Sequence, residues 1–280
     1  MSTVLERLRE ERYAFRASER QVAEYILAHA SEVINLPITE LAEQAGVSEA
    51  TVVRMCKKVG FRGFQELKIA LAMENVPPVK AVHEEIQEGD DLETAMRKVF
   101  LANIRSLEAT LNVLSVRELA RAVDAIDAAE RVYLFGVGGS GPIAIDAAHK
   151  FMKTGKAVIA HTDAHMQAMA ASLMRPGDVV IGISHSGSSR DVVEALELAK
   201  KNGAVTIGIT HYARSPMDRA LDIKLCTCSN ETFYRIESTS SRIAQLSIVD
   251  TLFIGLALRR LDATIDHLRR TREAIVPKRY

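Results

Sequence analysis

The run Ser184-His185-Ser186-Gly187-Ser188-Ser189 packs four hydroxyls and an imidazole into six residues. Before it stands an apolar stretch, Val179-Val180-Ile181-Gly182-Ile183, which reads as a buried parallel strand. After it, Val192, Val193, Ala195, Leu196 and Ala199 recur at helical spacing. The serines therefore fall in a turn opened by Gly187, at the start of a helix, where unpaired backbone N–H groups and the positive end of the helix dipole meet. Hydroxyls with few cations suit a phosphate that is held and then released. Ser and Gly also cap helices and build ordinary loops, so one such turn does not decide the matter.

A second turn changes the balance. Gly136-Val137-Gly138-Gly139-Ser140-Gly141 follows the apolar Val132–Phe135 and literally fits G-x-G-x-x-G, with Asp163 placed where a dinucleotide enzyme holds a ribose. That match alone is weak, and a dinucleotide fold does not require the serine-rich turn. Two hydroxyl-lined turns at neighbouring strand ends instead define a small pocket for a phosphorylated polyol.

The elements behind these turns alternate. Val132–Phe135, Ala157–Ala160, Val179–Ile183, Val205–Ile209 and Ile223–Leu225 read as strands, with helical patterns between the first four. This predicts an α/β, doubly wound, five-stranded parallel sheet with ligands at the carboxyl ends of its strands. His149, His161, His165, His185 and His211 are too scattered for a metal set, and no metal or other cofactor is expected. His185 stands apart because it lies inside the serine turn.

The first 75 residues read differently, as an all-α domain. Ser18 with Gln21 forms a capping-box pattern, and Val22, Tyr25, Ile26 and Ala30 make one apolar helical face. Thr39 is placed to cap a short helix through Leu41, Ala42 and Ala45, which Gly46 ends. Ser48 caps the next helix, Glu49 to Val59, closed by Gly60. A short helix, a tight turn and a second helix form a helix-turn-helix. On the wheel of the second helix Val52, Cys56 and Val59 face the core. Thr51, Arg54 and Lys58 fall on another face with Met55 at its margin, flanked by Ala50 and Lys57. Arg62 and Lys68 extend the patch. Such a cationic face fits the major groove, Arg pairing with guanine edges while Lys and Thr hold phosphates. A solvated helix face would also be rich in Lys and Arg, but acids are absent from Arg54 to Gly63.

Asn75-Val76-Pro77-Pro78 cannot continue a helix and marks a boundary. Acidic residues at Glu84, Glu85, Glu88, Asp90 and Asp91 suggest a solvated linker. Asp91 then caps a helix striped by Ala95, Val99, Ala102, Leu107, Leu111 and Leu114, and Ser115 with Glu118 caps another. The expected division is 1–76, a linker at 77–91, and 92–280. At 280 residues, 48% hydrophobic and 26% charged, the chain can bury two cores. Its net charge is zero, which argues against wholesale polyanion binding without excluding a local basic face. Three cysteines make neither a disulfide framework nor a zinc site. The longest apolar runs fall short of a membrane span and no leader is evident, so no membrane partner and a cytoplasmic location are expected.

Residues 18–27, 41–61 and 63–68 together resemble the N-terminal domain of RpiR-type transcriptional regulators. The turns Gly138-Gly139-Ser140 and Ser184–Ser189, with the segment from Glu231 to Leu252, resemble the sugar isomerase (SIS) domain in the same family. The resemblance implies operator DNA as partner, with Ser48, Thr51, Arg54, Lys57 and Lys58 on the DNA side; Thr39, Ala50 and Arg62 complete that set. It also implies a phosphorylated sugar held by Ser140, Ser184, Ser186 and Ser189, with Glu237 bringing a carboxylate to the sugar; Gly138 and His185 join them. The expected protein is a regulator of sugar-metabolism genes, a homodimer or homotetramer with no catalytic residue. The alternative is an aldose–ketose sugar-phosphate isomerase with an appended helical domain, Glu237 as base and His185 or His211 as acid.

Overall fold

The computed structural model describes residues 3–75, 83, 85–229 and 239–278. The chain divides into two compact units, one built mainly on residues through Ala102 and the other on residues from Asn103.

The first unit is helical: α1 (Val4–Glu10), α2 (Ala17–Ala28), α3 (Ala30–Val33), α4 (Ile38–Gln44), α5 (Glu49–Lys58) and α6 (Phe64–Asn75). Leu8, Val22, Ile26, Leu41, Val52, Met55, Cys56 and Leu67 fill its core. The cap of α2 is Arg16, two residues before the expected Ser18, and the Glu19 carboxylate accepts the Arg16 N–H at 2.8 Å. Thr39 likewise lies inside the first turn of α4, behind Pro37, rather than capping it. The exit of α4 is as expected. Gly46 takes φ +67°, and the N–H groups of Gly46 and Val47 donate to the carbonyls of Glu43 and Ala42. That left-handed residue reverses the chain within a few positions, which a residue with a Cβ does poorly.

Helix α7 (Leu92–Val113) crosses the division after Ala102, and in the second unit α8 (Val116–Ala128) precedes β1 (Arg131–Gly136), α9 (Gly141–Met152), β2 (Ala157–His161), α10 (Ala164–Ser172), β3 (Asp178–Ile183), α11 (Arg190–Lys201), β4 (Val205–His211), β5 (Ile223–Thr227), α12 (Ser240–Arg259) and α13 (Leu261–Ile275). Asp91 and Ser115 cap α7 and α8 as expected. The stripe expected on α7 is corrected: Leu111 is 77% exposed, and the buried residues of this helix are Ser106 and Thr110. Their hydroxyls are satisfied by backbone. Ser106 donates to the carbonyls of Cys228 (3.2 Å) and Ser240 (3.3 Å), and Thr110 to that of Cys228 (3.1 Å).

The five strands are all parallel, in the order β2-β1-β3-β4-β5. Alternate residues feed opposite layers. Val132, Leu134, Val179 and Ile181 pack with α8, α9 and α12, whereas Tyr133, Phe135 and Val180 pack with α10 and α11. Helix α12 is long and apolar enough to cross a bilayer, contrary to the reading of the apolar runs. Its Ala244, Ile248, Val249, Leu252 and Leu256 are core residues against the sheet.

Candidate functional site

In the order β2-β1-β3-β4-β5 the strand order reverses between β1 and β3, and the loops leaving these parallel strands turn to opposite faces. Helix α9, after β1, lies in one layer and α11, after β3, in the other. Gly136 is in register with Ile183, so Val137 and Ser184 leave from paired positions. The two hydroxyl-bearing turns therefore open side by side at the topological switch point, where ligands of such sheets bind.

The first turn is a single 3-10 turn, Gly138–Ser140, which leads into α9. It folds back over the end of its own strand. A Cβ on Gly136 would stand 2.6 Å from the Ser140 carbonyl oxygen and 2.9 Å from its carbon, both backbone atoms that cannot step aside. Gly136→Ala is expected to push Ser140 out of place, destabilising the second unit by about 1–3 kcal/mol. A thermal melt of the variant checks this; an unchanged midpoint would contradict the close approach.

The second turn is pinned from below. Ser184 is buried; its N–H donates to the Ile209 carbonyl at 3.1 Å and its hydroxyl to Ser189 Oγ at 3.3 Å. The Gly187 N–H donates to the Ser184 carbonyl and the Gly187 carbonyl accepts the Met217 N–H, at 3.2 and 3.0 Å. Ser186 Oγ accepts the Ser188 N–H at 3.3 Å. Neither Ser140 nor Ser189 caps its helix with its side chain, whereas Ser115 and Asp163 cap α8 and α10. Helix α11, and α9 beyond Pro142, thus begin beside the turns with N–H groups that no side chain among the described residues has claimed, the arrangement that holds a phosphate.

The structure brings Gly138, Ser140, Ser184, His185, Ser186 and Ser189 to adjoining strand ends. Glu237 lies outside the described residues. Asp163 has a structural role, its carboxylate accepting the Met166 N–H at 2.9 Å, which weakens the dinucleotide reading further. Sequence reasoning missed two supports. Gln167, fully buried, donates to the carbonyls of Gly136 (3.2 Å) and His161 (2.9 Å), tying the ends of β1 and β2. His211 sets its ring edge-on to His185 with centroids 5.5 Å apart, and its N–H donates to the His185 carbonyl at 3.1 Å. Burial, and secondarily the neighbouring His185, pushes the His211 imidazole down to about 4. A group pushed that far is uncharged at neutral pH.

The helix-turn-helix is α4 and α5. Ser48 caps α5, accepting the Thr51 N–H at 3.3 Å, and the buried arc of α5 runs through Thr51, Val52, Met55, Cys56 and Val59. This arc, roughly 140° by residue spacing, is wider than expected because α5 packs against α2, α4 and α6 together. The placement of Thr51 on the DNA face is thereby corrected: it is 4% exposed. Lys68 is corrected as well. It is 2% exposed, donates to the Leu36 carbonyl at 2.9 Å and lies over the Phe64 ring, and burial pushes its ammonium down to about 7. Ser48, Ala50, Arg54, Lys57, Lys58 and Arg62 are exposed, and Thr39 is half-buried with its hydroxyl donating to Glu49 Oε1 at 3.0 Å. Arg62 pairs with Glu66.

Lys58 reaches inward as a strut, to Glu19 at 2.6 Å and the Ala14 carbonyl at 3.3 Å. The hydrogen bond from Lys58 is the main cause that holds the buried Glu19 carboxyl below its ordinary value, against desolvation. A carboxyl depressed in the folded state contributes stability that is complete above its unfolded value, near 4.5, and is lost as pH falls through the folded one. Glu19→Gln is expected to flatten the acid limb of unfolding below that value. Melts between about pH 3 and 7 check it; identical acid limbs in both proteins would remove the strut.

The RpiR-family helix-turn-helix domain matches residues 2–77, and the SIS domain matches residues 125–255. Over 280 residues the chain is 38% identical to the HTH-type transcriptional regulator HexR of Pseudomonas aeruginosa, covering 100% of this chain and 98% of that one. Over 275 residues it is 36% identical to an HTH-type transcriptional regulator of Caldanaerobacter subterraneus subsp. tengcongensis, covering 98% of each. The chain belongs to the RpiR family of transcriptional regulators. NanR of Vibrio vulnificus, solved in complex with ManNAc-6P, matches with a TM-score of 0.84 and 30% identity across 99% of both chains. The sequence-level reading of an RpiR regulator with a parallel, five-stranded SIS domain is thus correct, and the dinucleotide reading gives way to it.

Proposed function

We propose that this RpiR regulator senses a phosphorylated sugar at the β1/β3 switch point and that occupancy there sets its affinity for operator DNA. The observation that carries this is the pairing of Gly136 with Ile183, which starts the two hydroxyl turns side by side at the unclaimed N-termini of α9 and α11. Ser140, Ser184, Ser186 and Ser189 hold the phosphate, and Gly138, His185 and Glu237 meet the sugar. The similarity to a NanR bound to ManNAc-6P supports this class of effector. Residues 1–76 read DNA and 92–280 sense the sugar, joined by 77–91.

One helix-turn-helix covers only a short site, so two or more copies act together on paired half-sites, in the cytoplasm and without membrane attachment. The site senses rather than turns over its ligand. The transcriptional regulators to which the chain is similar over nearly its whole length support that assignment over isomerase chemistry. A thermal-shift screen against hexose, pentose and amino-sugar phosphates is the test. A ligand at 100 times its dissociation constant adds about 2.7 kcal/mol. No shift with any of them, or proton exchange with solvent deuterium during turnover, would overturn the reading.

A further inference from the structure

We propose that Thr51 never touches DNA and instead aims Arg54, acting as the positioning residue for base reading by this regulator. The inference rests on the assignment of Arg54 to the reading face. Thr51 is 4% exposed, so its hydroxyl is withdrawn from any duplex. That hydroxyl sits between two exposed partners, 3.0 Å from Ser48 Oγ and 3.0 Å from Arg54 Nη2.

The chemistry fixes the Arg54 end of this chain and leaves either hydroxyl free to donate in the Ser48–Thr51 contact. A guanidinium only donates, so Thr51 Oγ1 accepts from Arg54. Its own hydrogen is then available to Ser48 Oγ, which already accepts the Thr51 N–H. Arg54 loses freedom about its long side chain before DNA arrives while keeping its other N–H groups for a base edge. Restraint applied in the free protein lowers the ordering cost on binding. The spacing makes this local: residues 48, 51 and 54 are successive i, i+3 neighbours on α5.

The probe is the duplex that the wild-type chain enriches from a randomised pool, together with a copy changed at the base pair to which Arg54→Ala has become indifferent. Thr51→Val keeps the shape and removes the hydroxyl. Operator affinity is expected to fall about 3- to 30-fold, with loss of discrimination between the two duplexes, while Thr51→Ser retains both. In an Arg54→Ala background Thr51→Val should cost nothing more. Thr51→Ala, the better helix former, serves if the valine variant melts early. Unchanged discrimination in the hydroxyl-free variants overturns the proposal, as do additive losses in the double variant. Should Arg54→Ala alone leave affinity intact, the assignment of Arg54 fails and the proposal with it; an Arg54→Ala loss without a Thr51 effect refutes the proposal only.

Discussion

Ser186→Ala is expected to weaken sugar-phosphate binding by about 1.5–3 kcal/mol, roughly 10- to 150-fold, and to leave operator affinity in the absence of effector unchanged. The size follows from charge: a hydroxyl donating to a phosphate contributes more than a neutral hydrogen bond, and the turn has few cations to make up the loss. Ser186 is the suitable position because its neighbours carry more of the turn's internal bonding. Ser184 is pinned through both its N–H and its hydroxyl, so changing it would disturb the strand exit as well as the ligand. The Ser186 hydroxyl accepts one backbone N–H, that of Ser188, at 3.3 Å, which is a long bond to lose. Calorimetry with the best ligand from the thermal screen, followed by gel shifts with and without it, separates the two effects. Equal effector responses in variant and wild type would remove Ser186 from the site, and a matching loss of effector-free DNA binding would mean a folding defect.

The second large effect belongs to Arg54. Arg54→Ala should cost about 1–3 kcal/mol at its preferred operator and relax selectivity at one position of each half-site. Lys57→Ala should behave differently, weakening all duplexes alike and lowering the slope of affinity against salt by about one ion. The contrast rests on shape as much as on charge. A guanidinium fork matches the two acceptors of a guanine edge, whereas an ammonium is a point charge that meets phosphate anywhere. Lys58, held at Glu19, is expected to affect stability more than salt dependence. Binding isotherms at several salt concentrations distinguish the three, and an Arg54→Ala protein with the wild-type isotherm would take the residue off the reading face.

Much of this arrangement was legible in the residues because it depends on local rules. Gly46 and Gly60 end helices where the chain must turn left-handed, Ser48 caps α5, and continuous apolar runs mark the strands. The two turns could be placed together because the alternation of strand and helix implies parallel order. What could not be read depended on partners distant in sequence. Thr51 and Met55 look peripheral on a wheel until α2, α4 and α6 all close on α5. Lys68 and Lys58 count as surface cations until the Leu36 carbonyl and the Glu19 carboxylate receive them. Ser106 and Thr110 look unsuited to the buried side of a helix until the carbonyls of Cys228 and Ser240 arrive to use their hydroxyls. In each case one polar group changes layers because a remote backbone or side-chain atom satisfies it.

Among the described residues no side chain covers the first N–H groups of α11, nor those of α9 beyond Pro142, and this bears on how the regulator must be assayed. Those groups do not distinguish a sugar's phosphate from an inorganic one. Phosphate or sulfate in a buffer will compete for the same amides, so effector constants measured there will drift weaker as the salt is raised, whereas an uncharged or amine buffer reports the true value.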